Sequence, residues 1–361
     1  MRRRPGEWVC SPNVPGMGDT RWQPMPLLKN GSIFLLQGRS LWGLRRRVRR
    51  GTVIMPEEDE IFYYDRYGGR TETEKVYGER WLRWTYETLP GRLLLATLIR
   101  RGFFSRFYGW RMDRPSSRGK IGPFIRRYGV DENEFAEPAR SFRSFNAFFC
   151  RKLKPESRPV AEGEGIAVFP ADGRHLVFPD LDRVDRVYAK GQGFSLDGLL
   201  GDRELAKGYA GGAMSISRLC PVDYHRFHFP CAGRPGPASE IPGDLYSVNP
   251  LALRRRLSIL WRNRRFLTRL ETVAWGTVLC LEIGATCVGS VVQTYSPDRQ
   301  VLKGEEKGFF RFGGSCVILL FQRDRIEFDE DLVSHTQEGM ETYARMGDRL
   351  GTASGAERGQ R

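Results

Sequence analysis

The 361-residue chain is 40% hydrophobic, enough to bury the core of one large domain or two modest ones, which excludes a disordered polypeptide. Its 58 Lys and Arg against 43 Asp and Glu give a formal charge of +15, so part of the surface should attract phosphate, in nucleic acid or in an anionic membrane. The seven cysteines are scattered and never form C-x-x-C, which argues against a disulfide framework or a zinc knuckle and fits a reducing compartment.

In chain order, residues 1–55 carry eleven Lys and Arg against Glu7 and Asp19, interspersed with Pro and Gly, and read as a loosely ordered basic extension without the apolar stretch of a secretory signal. Residues 56–160 read as a helical region. Trp81, Trp84, Leu94, Leu98, Phe103, Phe107 and Trp110 recur at mostly helical spacing, interleaved with Arg92, Arg100, Arg101, Arg106 and Arg111, with a break expected near Pro90. Such a helix suits either a lipid interface or an ordinary core. No run of eighteen apolar residues occurs, so any membrane attachment is expected to be peripheral, without a transmembrane helix. From 161 to 330 short β-type runs alternate with Gly, Pro and Asp, predicting a β-rich core; residues 331–361 are polar and are expected to form a flexible tail. The fold class expected is α+β: a β-rich catalytic core preceded by a helical, membrane-facing region.

Four features carry chemistry: Asp172 in PADG, His225 and His228 in PVDYHRFHFP, the turn Gly313-Gly314-Ser315, and the strand after it. Each alone has an ordinary reading as a turn, a core histidine or a hairpin. Histidines three apart lack a Cys or carboxylate at ligand spacing, so no metal is expected. A serine hydrolase triad is possible in chain order, but FGGSCVILLF lacks the G-x-S-x-G elbow and leads into a strand. A serine directly after glycine can instead attack its own backbone carbonyl, with histidine as base and Asp172 as the group that orients it.

The ordered segments SFNAFFCRKLKPESRPV, FPADG, KGQGFSLDGLLGD, RLCPVDYHRFHFPCAG, YSVNPLAL, EIGATCVGSV and KGEEKGFFRFGGSCVILLF resemble phosphatidylserine decarboxylase proenzymes over about residues 60 to 325. The resemblance implies cleavage between Gly314 and Ser315, conversion of Ser315 to a covalent pyruvoyl cofactor, and a self-cleavage set of Asp172, His228 and Ser315, with His225 acting in decarboxylation. It implies a phosphatidylserine substrate, a Schiff base route to phosphatidylethanolamine and CO2, and peripheral attachment to an anionic membrane at the cytoplasmic face. The large chain 1–314 and small chain 315–361 are expected to stay associated, with a homodimer left open and no nucleic-acid partner. Relatives usually carry Thr or Ser where this chain has Cys316. The arginines at 254, 255, 256, 262, 264 and 265 leave a nucleic-acid-binding protein as the rival from another class, and a soluble amino-acid substrate as the rival within the pyruvoyl enzymes.

Overall fold

The computed structural model describes residues 47–49, 52–54, 61–74, 79–95, 97, 102–183, 194–253, 258–285, 291–313 and 315–354. Most of the basic extension, Leu98, Arg100, Arg101, Arg254 to Arg256 and Gly314 lie outside the described residues. Within the extension, Arg47–Arg49 and Thr52–Ile54 pair as a short antiparallel hairpin.

A 10-stranded sheet organises the core. Nine of its strands are β1 Phe62–Asp65, β2 Arg70–Thr73, β3 Gly173–Phe178, β4 Ala213–Leu219, β5 Ser239–Ile241, β6 Arg265–Glu271, β7 Thr277–Ile283, β8 Ser315–Phe321 and β9 Glu341–Ala344. They run in the order β5-β6-β7-β8-β4-β3-β9-β1-β2, with Arg234–Pro235 also pairing on β6. β9 is parallel to β1, and the other pairs are antiparallel.

β8 explains why the sheet is covered on both sides. Its near-continuous apolar run SCVILLF sends Cys316, Ile318 and Leu320 into one core, and Val317, Leu319 and Phe321 into another. Burial on both faces holds the strand by packing as well as by its ladders to β7 and β4. Two three-stranded sheets flank the large one, one of Val291–Gln293, Glu306–Phe310 and Arg226–His228, the other of Ile326–Phe328, Arg349–Ala353 and Ile166–Val168.

Before the catalytic half lie α1 Glu79–Glu87, α2 Leu89–Leu94, α3 Gly102–Asp113, α4 Ile121–Tyr128 and α5 Phe145–Phe149. The break expected near Pro90 falls at Thr88, whose Oγ1 accepts from Gly91 N–H at 3.1 Å, with Pro90 in the first turn of α2. Ser144 caps α5 in the same way, accepting from Ala147 N–H at 3.1 Å. The Tyr86 hydroxyl accepts from Ser247 N–H at 3.0 Å, which ties α1 to the core. A separate aromatic cluster including Phe124, Phe135, Phe145, Phe148, Phe149 and Phe312 packs α3 to α5 onto the chain just before β8. None of the described helices is long and apolar enough to cross a membrane.

Two expectations are corrected. The segment 56–160 is not wholly helical, because β1 and β2 form a hairpin that extends the core sheet beyond β9. The expected tail at 331–361 is instead folded as far as Ser354, with helix Glu330–Gln337 followed by β9 and Arg349–Ala353. Its polar residues hold it in place: Glu341 on β9 binds buried Arg218 of β4, and Asp329 binds Arg66 and Arg349. Of the arginines expected to cluster, the three described ones have separate partners. Arg264 pairs with Glu240 at 2.7 Å, Arg262 lies 3.8 Å from Asp244, and Arg265 is buried, donating to the carbonyls of Leu199 and Asn263.

Candidate active site

Ser315 opens β8, fully buried, and its Oγ has no hydrogen-bond partner among the described residues. The approach to it is fixed. Phe312 N–H donates to Asn146 Oδ1 at 2.9 Å, and the Phe312 ring packs against Phe149, Phe145 and Tyr108 with centroids 4.9, 5.1 and 5.7 Å away. Gly313 then turns with φ 141°, a conformation open to glycine and strained for other residues. A pinned Phe312 and a glycine at positive φ thus stand three and two residues before Ser315.

His225 lies beside this turn. Its ring packs on Phe149 with centroids 3.8 Å apart, and its carbonyl accepts from Phe310 N–H at 2.9 Å. Nδ1 is 3.0 Å from the Asp223 carbonyl, which can only accept, so Nδ1 carries the proton and Nε2 keeps its lone pair. Nε2 makes no hydrogen bond of good geometry among the described residues. Burial pulls the pKa down to about 3, with the Asp223 and Gly313 backbones opposing the fall. The ring is therefore a neutral base lying against the backbone of Asp223 and Gly313.

His228, three residues on, stands against Tyr224 with ring centroids 5.8 Å apart, and its backbone N–H donates to the Pro170 carbonyl at 2.7 Å. Its Nδ1 is also buried without a partner. Burial lowers the pKa to about 4, opposed by the charges of Glu306 and Asp172.

Asp172 is buried two residues beyond Pro170, where that backbone bond draws it towards His228, yet it hydrogen-bonds neither histidine. Its oxygens accept instead from Arg158 Nε at 2.9 and 3.0 Å, from Arg158 Nη2 at 2.6 Å and from Met346 N–H at 2.9 Å. Burial pushes the carboxyl above its ordinary value, while Arg158 and the Met346 amide pull it back. Asp172 thus reaches His228 through its field, with its geometry set by other groups.

The sequence reading missed those groups. Arg158 sits in the KPESRPV segment, and Met346 lies beyond β9 in the region read as a tail. Asp223 was also passed over, although it is within the histidine motif. Its carboxylate accepts from Arg174 Nη1 at 2.6 and 2.7 Å and from Cys220 N–H at 2.6 Å, which fixes the carbonyl that selects the His225 tautomer. A carboxylate two residues before a histidine was the available signal. The described contacts thus join His225 to the glycine turn before Ser315, and couple the second buried histidine, His228, to the locked Asp172 through charge.

The phosphatidylserine decarboxylase family model matches residues 145–352. A phosphatidylserine decarboxylase proenzyme of Chlamydia pneumoniae is 45% identical over 289 residues, covering 80% of this chain and 96% of the relative. Those of Chlamydia muridarum and Desulfitobacterium hafniense (strain Y51) are 46% and 42% identical, covering 82% and 81% of this chain and 98% of each relative. With the family model spanning the histidine motif, the glycine turn and the folded C-terminus, and relatives aligned over nearly their whole length, the chain belongs to the phosphatidylserine decarboxylase family.

Proposed function

We propose that this decarboxylase cuts itself between Gly314 and Ser315, and that the resulting pyruvoyl group removes CO2 from phosphatidylserine to give phosphatidylethanolamine. The observation that carries the reading is the unpartnered Ser315 Oγ, buried at the head of a central strand after a glycine turn, with two buried histidine nitrogens left unpartnered in the PVDYHRFHFP segment. Buried polar atoms normally find partners, so such a group of exceptions supports a site built for chemistry.

Ser315 Oγ attacks the Gly314 carbonyl and passes its proton to a histidine; the peptide C–N bond breaks as an ester forms. Loss of the residue 315 α-proton then expels the Gly314 carboxylate, and water releases ammonia from the dehydroalanine that remains. His228 is assigned as the base, with the Asp172 charge favouring its protonated form. Its lowered pKa leaves the ring neutral, and so able to accept a proton, at neutral pH.

The pyruvoyl group supplies an electron sink, joining the substrate amine as a Schiff base so that the electrons left by CO2 are accepted. His225 serves that reaction. Nε2 takes the proton given up by the substrate's ammonium and returns it to the carbon that has lost CO2, while Asp223 and Arg174 hold the ring still.

The outer faces of α1 to α3 support a lipid substrate. Trp81, Trp84, Leu89, Leu93, Phe103, Phe107 and Trp110 are exposed there, while Tyr108 of α3 stacks on Phe312 at the turn before Ser315. Aromatic residues and flanking arginines suit a membrane interface, which would set the headgroup beside the site. The test is decarboxylation of phosphatidylserine in mixed micelles by the wild type and Ser315→Ala. The reading expects phosphatidylethanolamine from the first and neither cleavage nor product from the second; turnover of aspartate with none of phosphatidylserine would contradict it.

A further inference from the structure

Most buried arginines around the site have a carboxylate of their own. Arg158 holds Asp172 and Glu134, Arg174 holds Asp223, Arg218 lies between Glu74 and Glu341, and the half-buried Arg226 meets Glu306. Arg151 has no such partner among the described residues. It is only 5% exposed, and both Nε and Nη1 are buried without a hydrogen bond. Its guanidinium lies 5.0 and 4.9 Å from the ring centroids of Phe135 and Phe148. Those rings hold the side chain in place and leave the donors unmet.

Arginine is rarely buried unless paired, because its desolvation is costly. Desolvation pulls the Arg151 pKa down to about 10, although Asp172, Tyr224 and Asp223 draw it upward, and its charge in turn depresses His225. The guanidinium therefore shares the surroundings of His225, Asp172 and Asp223 without bonding to them. Phe135 and Phe148 belong to the same aromatic cluster as Met112 of α3 and Phe312 of the glycine turn, so the unmet charge packs on the cluster that joins α3 to that turn.

We propose that Arg151 binds the phosphodiester of the substrate headgroup, a step that rests on the phospholipid decarboxylase reading above. The substrate offers two anions, and the phosphodiester is the one that fits. The carboxylate must give up its charge as CO2, so a guanidinium on it would hold the ground state back. The phosphodiester keeps its charge throughout and can be bound equally from encounter to product. Arg151 would then set the spacing between the lipid and the amine at residue 315.

Three forms of the cleaved enzyme, wild type, Arg151→Gln and Arg151→Lys, are compared for the KM of phosphatidylserine in mixed micelles and for inhibition by glycerophosphoethanolamine, which has the phosphodiester and no carboxylate. Loss of a charged hydrogen-bonding group should raise both the KM and the inhibition constant about tenfold or more in Arg151→Gln, with Arg151→Lys between and kcat falling less. An unchanged inhibition constant, or a loss confined to kcat, would overturn the proposal, as would inorganic phosphate competing as well as glycerophosphoethanolamine in the wild type. A second measurement needs no variant: glycerophosphoethanolamine is fixed to the cleaved wild type with borohydride and the complex crystallised. Phosphate oxygens within about 3 Å of Arg151 are expected, and a phosphate held elsewhere overturns the assignment. A wild type that fixes no amine would instead overturn the decarboxylase reading and the proposal with it.

Discussion

His225 has Nδ1 held by the Asp223 carbonyl, whereas His228 is left with an open Nδ1 beside two acidic charges, and the proposed division of their roles rests on this difference. His228→Ala should therefore block self-cleavage more severely than His225→Ala, read as the fraction of intact chain after purification. Equal processing of the two variants would refute the division. Arg158→Ala leaves the buried Asp172 with the Met346 amide and no cation, and breaking a buried pair costs about 3–5 kcal/mol. That variant should lose stability by this order in denaturant unfolding and cleave more slowly, and Arg158→Lys should recover part of both. Unaltered stability and cleavage in Arg158→Ala would mean that the pair does not hold Asp172. The residues to which the reaction is assigned were legible in the sequence because they sit in short, unusual strings. Their supports were not: Arg158 lies 14 residues from Asp172 and Met346 lies 174 away, so only the folded chain joins them.

At the scale of elements, the aromatic periodicity of residues 81–110 indicated helices and left open whether they face lipid or a core; the structure leaves Trp81, Trp84, Phe103, Phe107 and Trp110 exposed. Trp81 and Trp84 stack with centroids 5.2 Å apart, as do Phe107 and Trp110 at 6.0 Å. Replacing Phe107 and Trp110 together by Ser should weaken co-sedimentation with anionic vesicles roughly tenfold while leaving self-cleavage intact, since aromatic side chains dominate such interfaces. Undiminished sedimentation would assign membrane binding to another surface. The C-terminal elements were misread because composition alone treats Glu, Arg and Thr as solvent-facing. Glu341 and Thr342 of β9 are buried, one paired with Arg218 and the other placed opposite His175 in the ladder to β3.

For the whole molecule, the position of the cleavage site in the topology matters most. β8 lies between β7 and β4, β9 between β3 and β1, and Arg349–Ala353 between Ile326–Phe328 and Ile166–Val168, so three of the four described strands of a 315–361 chain pair with strands of the larger chain. Cleavage at 314/315 should leave the two chains co-eluting in buffer and separable only in denaturant.

Burial also makes the uncleaved form sensitive to acid. His175 and His225 are lowered to about 3 and His228 to about 4, against an ordinary 6.5, so the folded chain resists protons that the unfolded chain accepts. Stability should hold above pH 6.5 and fall as the pH drops from there towards 4, by about 1.4 kcal/mol per pH unit for each histidine. A Ser315→Ala protein whose melting temperature is flat across that range would contradict those buried neutral rings.

The most direct measurement is the intact mass of the purified wild-type protein. Self-cleavage predicts two chains, 1–314 and 315–361, the smaller one beginning with a pyruvoyl group in place of Ser315 and therefore closed to N-terminal sequencing. A single chain of 41.4 kDa with an unmodified Ser315 would contradict the account.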